Sequence, residues 1–534
     1  HFTRWLFIPP NARSGAKAGD LVHCQLQRHP FADGKPSVKV LQSFGPIGTP
    51  GLENDYCAAR AGIEKMLPKD KFKAIEALVG DGANADETRE DLRALPLVSI
   101  DSPNTFDIDD ALCAEPQDEG WLLTVAIADP TTCIKEAAEL TTLIATRGTS
   151  HYFHGLAIPM LPEALSQSAA LRPQEDKNAL VCRLTISADG DITDSSIKLA
   201  VVQSKAKLSY QEVEEVLMDS AEHEFAERLH HLNDCFSALR AWRESRELVI
   251  EHRPEHRWLL NENKQIDRIE EVQKKGSQLL VEECMVAANR CIAQALKDAE
   301  LPGPFVTHAG IRRDRAEEAK EFLTRFLPEQ NAIDFSTLDG FRTLINELNA
   351  ASDERPLRSM INRLMSRASF SVKPAPHMGM ALPVYTNGTS PLRKALDFCV
   401  HLQLKAMLGD TNVKTAPATV FDLINQASAK NRQAVRAANN WLSCNFLNAQ
   451  NAHGQSDYDA EIVHINTSGF TVKLKDLGLE GTVDLRREEE KFSFDKWEMA
   501  LASKTRRYQL RQQIRVKYQP VEKPRGESAS FTAI

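Results

Sequence analysis

Four aspartates fall within ten residues in the stretch Val98-Ser-Ile-Asp101-Ser-Pro-Asn-Thr-Phe-Asp107-Ile-Asp109-Asp110-Ala-Leu112. Four like charges this close repel one another, so a fold must either protonate some of them or supply a counter-charge. Divalent cations with a preference for oxygen are the economical supply. Two Mg²⁺ would balance the four carboxylates. In two-metal sites the ions lie about 3.5 to 4 Å apart and clamp the attacking and leaving oxygens of a phosphoryl displacement. The predicted chemistry is therefore hydrolysis of a phosphodiester by water that the metals activate. A solvated acidic loop is the plainer alternative, but Phe106, Ile108 and Ala111-Leu112 interleave the charges with apolar residues. An EF-hand counted from Asp107 puts Leu112 where that loop requires glycine, and is rejected.

A second cluster is Thr389-Ser390-Pro391-Leu392-Arg393-Lys394. Ser390 suits a helix cap and Pro391 the first helical position, so a helix is predicted over 391–408. Two cations in a first turn oppose the helix dipole, a cost that is offset if the turn faces an anion such as phosphate. The competing expectation is that Arg393 pairs with Asp397 one turn on.

The acidic cluster follows a short apolar strand and opens a region, about 95 to 445, where strands (122–127, 180–186) and helices (211–218, 277–297, 391–408) mix. This reads as a large α+β body. Before it, the runs 4–8, 20–27 and 37–44, separated by Pro9-Pro10 and Asp33-Gly34, read as strands of a small barrel. Three strands are fewer than the five of an OB-fold, so that barrel is incomplete or shares strands. A charged helical arm is expected over 58–94. After a polar stretch, 448–458, the runs 460–465, 469–475, 480–484 and 513–518 predict a second barrel. From residue 501 onward eight Lys and Arg face two Glu.

The chain has 534 residues, and at about 100 to 200 per domain this implies roughly three to four domains rather than one module. The net charge of -9 excludes a chain that coats nucleic acid by bulk attraction, although a local basic face is compatible with it. With 42% hydrophobic and 26% charged residues, disordered and collagen-like classes drop out. The ten cysteines form no CxxC pair, which predicts reduced thiols and a cytoplasmic setting; Cys284 and Cys291, seven apart, suit a core stripe. No run resembles a membrane span or an export signal. The chain begins at His1 and not at Met, as a fragment or processed form would.

Asp101, Asp107, Asp109 and Asp110 in IDSPNTFDIDDAL resemble the signature of the ribonuclease II (RNB) family of exoribonucleases. The likeness continues through AIADP (126–130), IPMLP (158–162), SKAKLSY (204–210), VEECMVAAN (281–289) and TSPLRK (389–394). It implies an α+β catalytic RNB domain flanked by small β-barrel OB-folds, cold-shock-like at the N-terminus and S1-like at the C-terminus. The corresponding division is 1–72 partial barrel and arm, 73–447 catalytic domain, 448–459 linker and 460–534 S1-like domain.

The family likeness implies a Mg²⁺-dependent (or Mn²⁺-dependent) 3′-to-5′ hydrolytic exoribonuclease that degrades single-stranded RNA to nucleoside 5′-monophosphates. Asp101 and Asp110 are expected as the principal metal ligands. Asp107 and Asp109 complete the cage, Asp109 also positions the attacking water, and Arg393 supports the scissile phosphate. Tyr152 matches the tyrosine that stacks on the RNA 3′ end, and Tyr210 a position near the RNA path. His308 and His377 match family segments but are expected to be structural. This chain departs from the pattern at Ile250, at Val435 and at Gly388 and Ala395 beside the arginine. Those departures keep a second reading in view, a catalytically weakened RNA-binding protein of the same fold. A third is an endonuclease or phosphodiesterase on a similar site.

Overall fold

In the N-terminal region β1 (Asp20–Arg28) and β2 (Ser37–Pro46) pair antiparallel, and Phe7 adds a single bridge to Ser37. The computed structural model of the chain describes residues 5–29, 36–65, 86–133, 137–219, 222–246, 255–330, 332–351, 355–410, 415–486 and 488–534. The strand expected over 4–8 is thus reduced to one bridge, with Arg4 outside the described residues. The helix expected from residue 58 starts earlier, at Leu52, and ends at Arg60. Most of the remaining arm, 66–85, lies outside the described residues.

The α+β body is built on a seven-stranded sheet. Its members are β3 (Glu90–Asp91), β4 (Val98–Asp101), β5 (Asp110–Gln117), β6 (Gly120–Ala128), β9 (Asp176–Ser187), β10 (Ile192–Gln203) and β11 (Ala206–Ser209), in the order β11-β4-β5-β6-β9-β10-β3. A separate hairpin, β7 (His151–Phe153) and β8 (Leu156–Ile158), falls between β6 and β9 in the chain. The central strands are buried on both faces. Ala111, Ala126 and Val181 face one core, with Leu396, Phe398 and Leu402; Leu112, Val125, Ile127 and Leu180 face the other, with Leu229, Leu280, Cys284 and Cys291. Burial on both sides explains why these strands read as continuous apolar runs rather than alternating ones.

Two connections set up the acidic end of the sheet. The loop 102–109 joins β4 to β5, so Asp101 ends one strand and Asp110 begins its antiparallel neighbour. β11 runs parallel to β4 with Ser209 opposite Asp101, and a helix follows at once, Tyr210–Asp219. Its start is a capping box: Ser209 Oγ accepts the Glu212 N–H at 3.1 Å, and Glu212 Oε2 accepts the Ser209 N–H at 2.6 Å. That box turns the chain where Tyr210 meets the carboxylates.

The helix expected over 391–408 runs only from Ala395 to Met407. Ser390 does not cap it, because the four residues before Ala395 are drawn into tertiary contacts: Leu392 N–H goes to Asp109, and Lys394 bridges to Thr149. The polar stretch 448–459 is structured. A 35-residue helix, Ala418–Ala452, continues through Asn448, and a strand begins at Asp457. The barrel beyond is closed by five strands, Asp457–Asn466, Gly469–Leu474, Glu480–Asp484, Ala529–Ala533 and Gln513–Gln519 in that spatial order. The strand Ala529–Ala533 and the small sheet 493–509 had no counterpart in the sequence reading. Among the described residues no helix is long and apolar enough to cross a membrane.

Candidate active site

Asp101, Asp107, Asp109, Asp110, Tyr152, Tyr210 and Arg393 all line one cavity of about 500 Å³. β4 and β5 deliver the first and last carboxylates, the loop between them Asp107 and Asp109. Tyr152 comes from β7, where His151 and Phe153 point inward and Tyr152 outward, 52% exposed. That hairpin is tied to the arginine loop: the Arg393 carbonyl accepts Ser150 N–H at 2.8 Å and Thr149 Oγ1 at 2.9 Å. The Tyr152 hydroxyl points at Asp107 Oδ2, 3.4 Å away.

The arginine pairs with Asp109, not with Asp397. Arg393 Nε donates to Asp109 Oδ2 at 2.8 Å, and Leu392 N–H donates to Oδ1 at 3.0 Å. Asp397 is occupied by the Ser390 N–H at 2.9 Å.

Burial pushes the Asp109 carboxyl up to about 7 despite Arg393. Burial, together with the charges of Asp109 and Asp101, pushes Asp110 up to about 7 as well. Desolvation and the neighbouring acids lift both tyrosines to about 12, so they stay neutral. Burial works against the charge on Arg393, but the Asp109 carboxylate outweighs it and holds the guanidinium protonated.

The donor set fits a hard divalent cation: four carboxylates line one polar cavity, and two of them, Asp109 and Asp110, are raised chiefly by burial. Among the described residues no three acidic, imidazole or thiol groups already stand at ligating spacing. Asp109 in particular is engaged by Arg393, so a cation and the guanidinium would share that carboxylate.

Tyr152 and Arg393 also line a second, larger cavity of about 670 Å³, walled by the Ala418–Ala452 helix through Arg432, Val435 and Arg436 and by the barrel through Thr471 and Thr482. Trp258 lies on the same wall, its ring stacked on His154 at 4.3 Å. Sequence reasoning missed Arg432, Arg436 and Trp258. The four-residue spacing of the two arginines, which puts them on one helical face, was the available signal. Val435 sits between them, and Ile250 lies outside the described residues.

Three of the eight cations near the C-terminus are paired: Arg506 with Glu488, Arg507 with Glu498, Arg515 with Asp457. His308 and His377 stack on each other at 5.4 Å, and His308 Nδ1 accepts the N–H groups of Gly310 and Gly379, a structural role as expected.

An RNB domain spans residues 89–410 by its family model, and a cold shock domain 1–68 by another. The chain belongs to the RNB, or ribonuclease II, family of exoribonucleases. It is 34% identical to Exoribonuclease 2 of Yersinia enterocolitica over 471 residues, covering 86% of this chain and 72% of that protein. Exoribonuclease 2 of Pectobacterium atrosepticum is likewise 34% identical over 469 residues, covering 86% and 71%. In fold it resembles Mycoplasma genitalium RNase R in complex with ribose methylated single-stranded RNA, with a TM-score of 0.85 and 20% identity over 99% of this chain and 85% of that one.

Proposed function

We propose that the protein is a divalent-metal-dependent 3′-to-5′ exoribonuclease that hydrolyses single-stranded RNA to nucleoside 5′-monophosphates. The observation that carries this reading is the convergence of four aspartates, one arginine and two tyrosines on a single cavity. That cavity meets a larger one at Tyr152 and Arg393, which suits a strand arriving end first.

Asp101, Asp107, Asp109 and Asp110 would hold two Mg²⁺, or Mn²⁺ in their place. The chemistry supplied by such ions is neutralisation of the scissile phosphate and activation of the attacking water. Asp109 orients that water and hands its second oxygen to Arg393, which stabilises charge developing on the phosphate. Tyr152 offers a flat, neutral surface to the terminal base, and Tyr210 lines the same cavity near Asp101. Arg432 and Arg436 attract the backbone without reading bases. A cytoplasmic setting accords with the nine cysteines whose thiols are free among the described side chains. The weakened RNA-binding alternative is not favoured, because four acids offset by a single arginine would oppose binding of a polyanion.

Incubation of 5′-labelled linear RNA, circular RNA and DNA, each with Mg²⁺ and with EDTA, tests the reading. Only linear RNA with Mg²⁺ should lose mononucleotides. Cleavage of the circle would instead establish an endonuclease.

A further inference from the structure

The loop that carries Arg393 is held from beneath by three buried side chains on two helices. Asn289, from the helix Gly276–Asp298, accepts the Gly388 N–H through Oδ1 at 2.8 Å and donates from Nδ2 to the Tyr385 hydroxyl at 3.2 Å. His401, from the helix Ala395–Met407, donates from Nε2 to the Gly388 carbonyl at 2.8 Å. Asp397, in the first turn of that helix, accepts the Ser390 N–H at 2.9 Å. Asp397 and His401 are 0% exposed and Asn289 5%. None of the three is among the side chains lining the acidic cavity.

A buried carboxylate carries a desolvation penalty of several kcal/mol, which hydrogen bonds and favourable dipoles must offset. Asp397 Oδ1 meets the first at the Ser390 N–H and the N-terminus of its own helix supplies the second, while Oδ2 has no hydrogen-bond partner among the described residues. From Ser390 onward the chain moves as one turn, since the Ser390 carbonyl accepts the Lys394 N–H at 2.9 Å. The place of Ser390 therefore sets the place of Leu392 and Arg393, and with them both contacts to Asp109. Gly388 is squeezed in the same way: a Cβ there would stand 2.8 Å from Ile292 Cδ1, on the helix that carries Asn289.

We infer that Asp397 is a positioning residue for Arg393, fixing the turn at Ser390 while Asn289 and His401 fix it at Gly388. The inference rests on the role given to Arg393 above.

Its test is a double-mutant cycle in the full chain with Asp397→Ala, Asp397→Asn, Arg393→Ala and the Asp397→Ala/Arg393→Ala pair. The readouts are kcat and KM on 5′-labelled single-stranded RNA with Mg²⁺. Asp397→Ala should lower kcat by roughly 100-fold with KM little changed, as misplacement of a reacting group does. Asp397→Asn, whose amide oxygen can still accept the Ser390 N–H, should restore most of it. In the Arg393→Ala background, Asp397→Ala should add nothing further. Full additivity in that cycle, an Asn variant as slow as Ala, or an unchanged kcat in Asp397→Ala would each overturn the inference. If Asp397→Ala does not fold, Asn289→Ala releases Gly388 from the other helix, and additivity with Arg393→Ala there overturns it equally. Wild-type turnover in Arg393→Ala alone would remove the underlying role of Arg393, and this inference with it.

Discussion

Arg393 and Asp109 are 284 residues apart in the chain, yet Nε and Oδ2 lie 2.8 Å apart. The pair couples the acidic cluster to the arginine loop, and it makes Asp109 both a candidate metal ligand and an anchor. Asp109→Asn keeps the shape and removes the charge. RNA hydrolysis should fall by at least roughly 100-fold, the scale on which loss of one preorganised electrostatic contact acts, while RNA affinity is nearly unchanged. Single-turnover cleavage of 5′-labelled RNA alongside filter binding measures both; full activity would sink the assignment.

Cation binding should be visible without substrate. Asp110 is pushed up to about 7 from its ordinary 3.8, so its ionised form opposes folding. In EDTA at pH 8, Asp110→Asn should therefore melt higher than the wild type. Mg²⁺ at about 100 times its Kd should stabilise the wild type by about 2.7 kcal/mol and the variant by much less. Equal shifts in the two melting curves would place the metal elsewhere.

Tyr152 separates stacking from hydrogen bonding. Tyr152→Ala should weaken RNA binding by about 1 to 3 kcal/mol and shift the length of the final product. Tyr152→Phe keeps the ring and loses the hydroxyl's contacts with Asp107, at 3.4 Å, and with Ser150, and should behave like the wild type. Denaturing gels of the limit products distinguish the two, and an Ala variant with unaltered product length contradicts the stacking role.

Acid should loosen the catalytic body through Asp129. Its side chain is 0% exposed, 2.9 Å from Arg89 and 3.7 Å from Lys405. Burial favours the neutral form, but Lys405, Arg89, His401 and Thr131 outweigh it and hold the carboxyl well below its ordinary 3.8. The stability it contributes is full above pH 3.8 and is lost as the pH falls through the lower folded value. Asp129→Ala leaves Arg89 and Lys405 with only their pairings to Asp86 at 3.6 Å and Asp410 at 3.7 Å, and should cost up to roughly 3 to 5 kcal/mol at neutral pH. Its melting temperature should also depend less on pH below 4 than that of the wild type, and parallel pH profiles would rule this out.

What could be read in the sequence follows from what is local. The apolar runs of β6 and β9 and the four early strands of the C-terminal barrel were legible because burial writes itself into residue type. The seven site residues were legible because their spacing and family segments are contiguous. The partner of Arg393 was not, since nothing near Arg393 in the chain names Asp109, whereas Asp397 stands one turn away.

The long helix was missed for a related reason. Its end, from Asn448 on, read as a polar linker, yet the asparagines of this helix are spent on other elements: Asn440 on the Gly526 carbonyl, Asn445 on Glu53 and Gln265, and Asn448 on the Val521 carbonyl. Tertiary bonds of this kind override the weak helix preference of asparagine.

That helix, at 1.5 Å per residue, is about 52 Å long. It touches the N-terminal helix, bonds His151 beside Tyr152 through Asn431 at 2.7 Å, and carries the barrel on its far half. It is at once an axle and one side of the larger cavity. One side of the larger cavity is therefore set by a single helix, so barrel and catalytic body share one gauge. A kink introduced midway, at Ala437 for instance, would change the calibre of that cavity while leaving the carboxylates untouched.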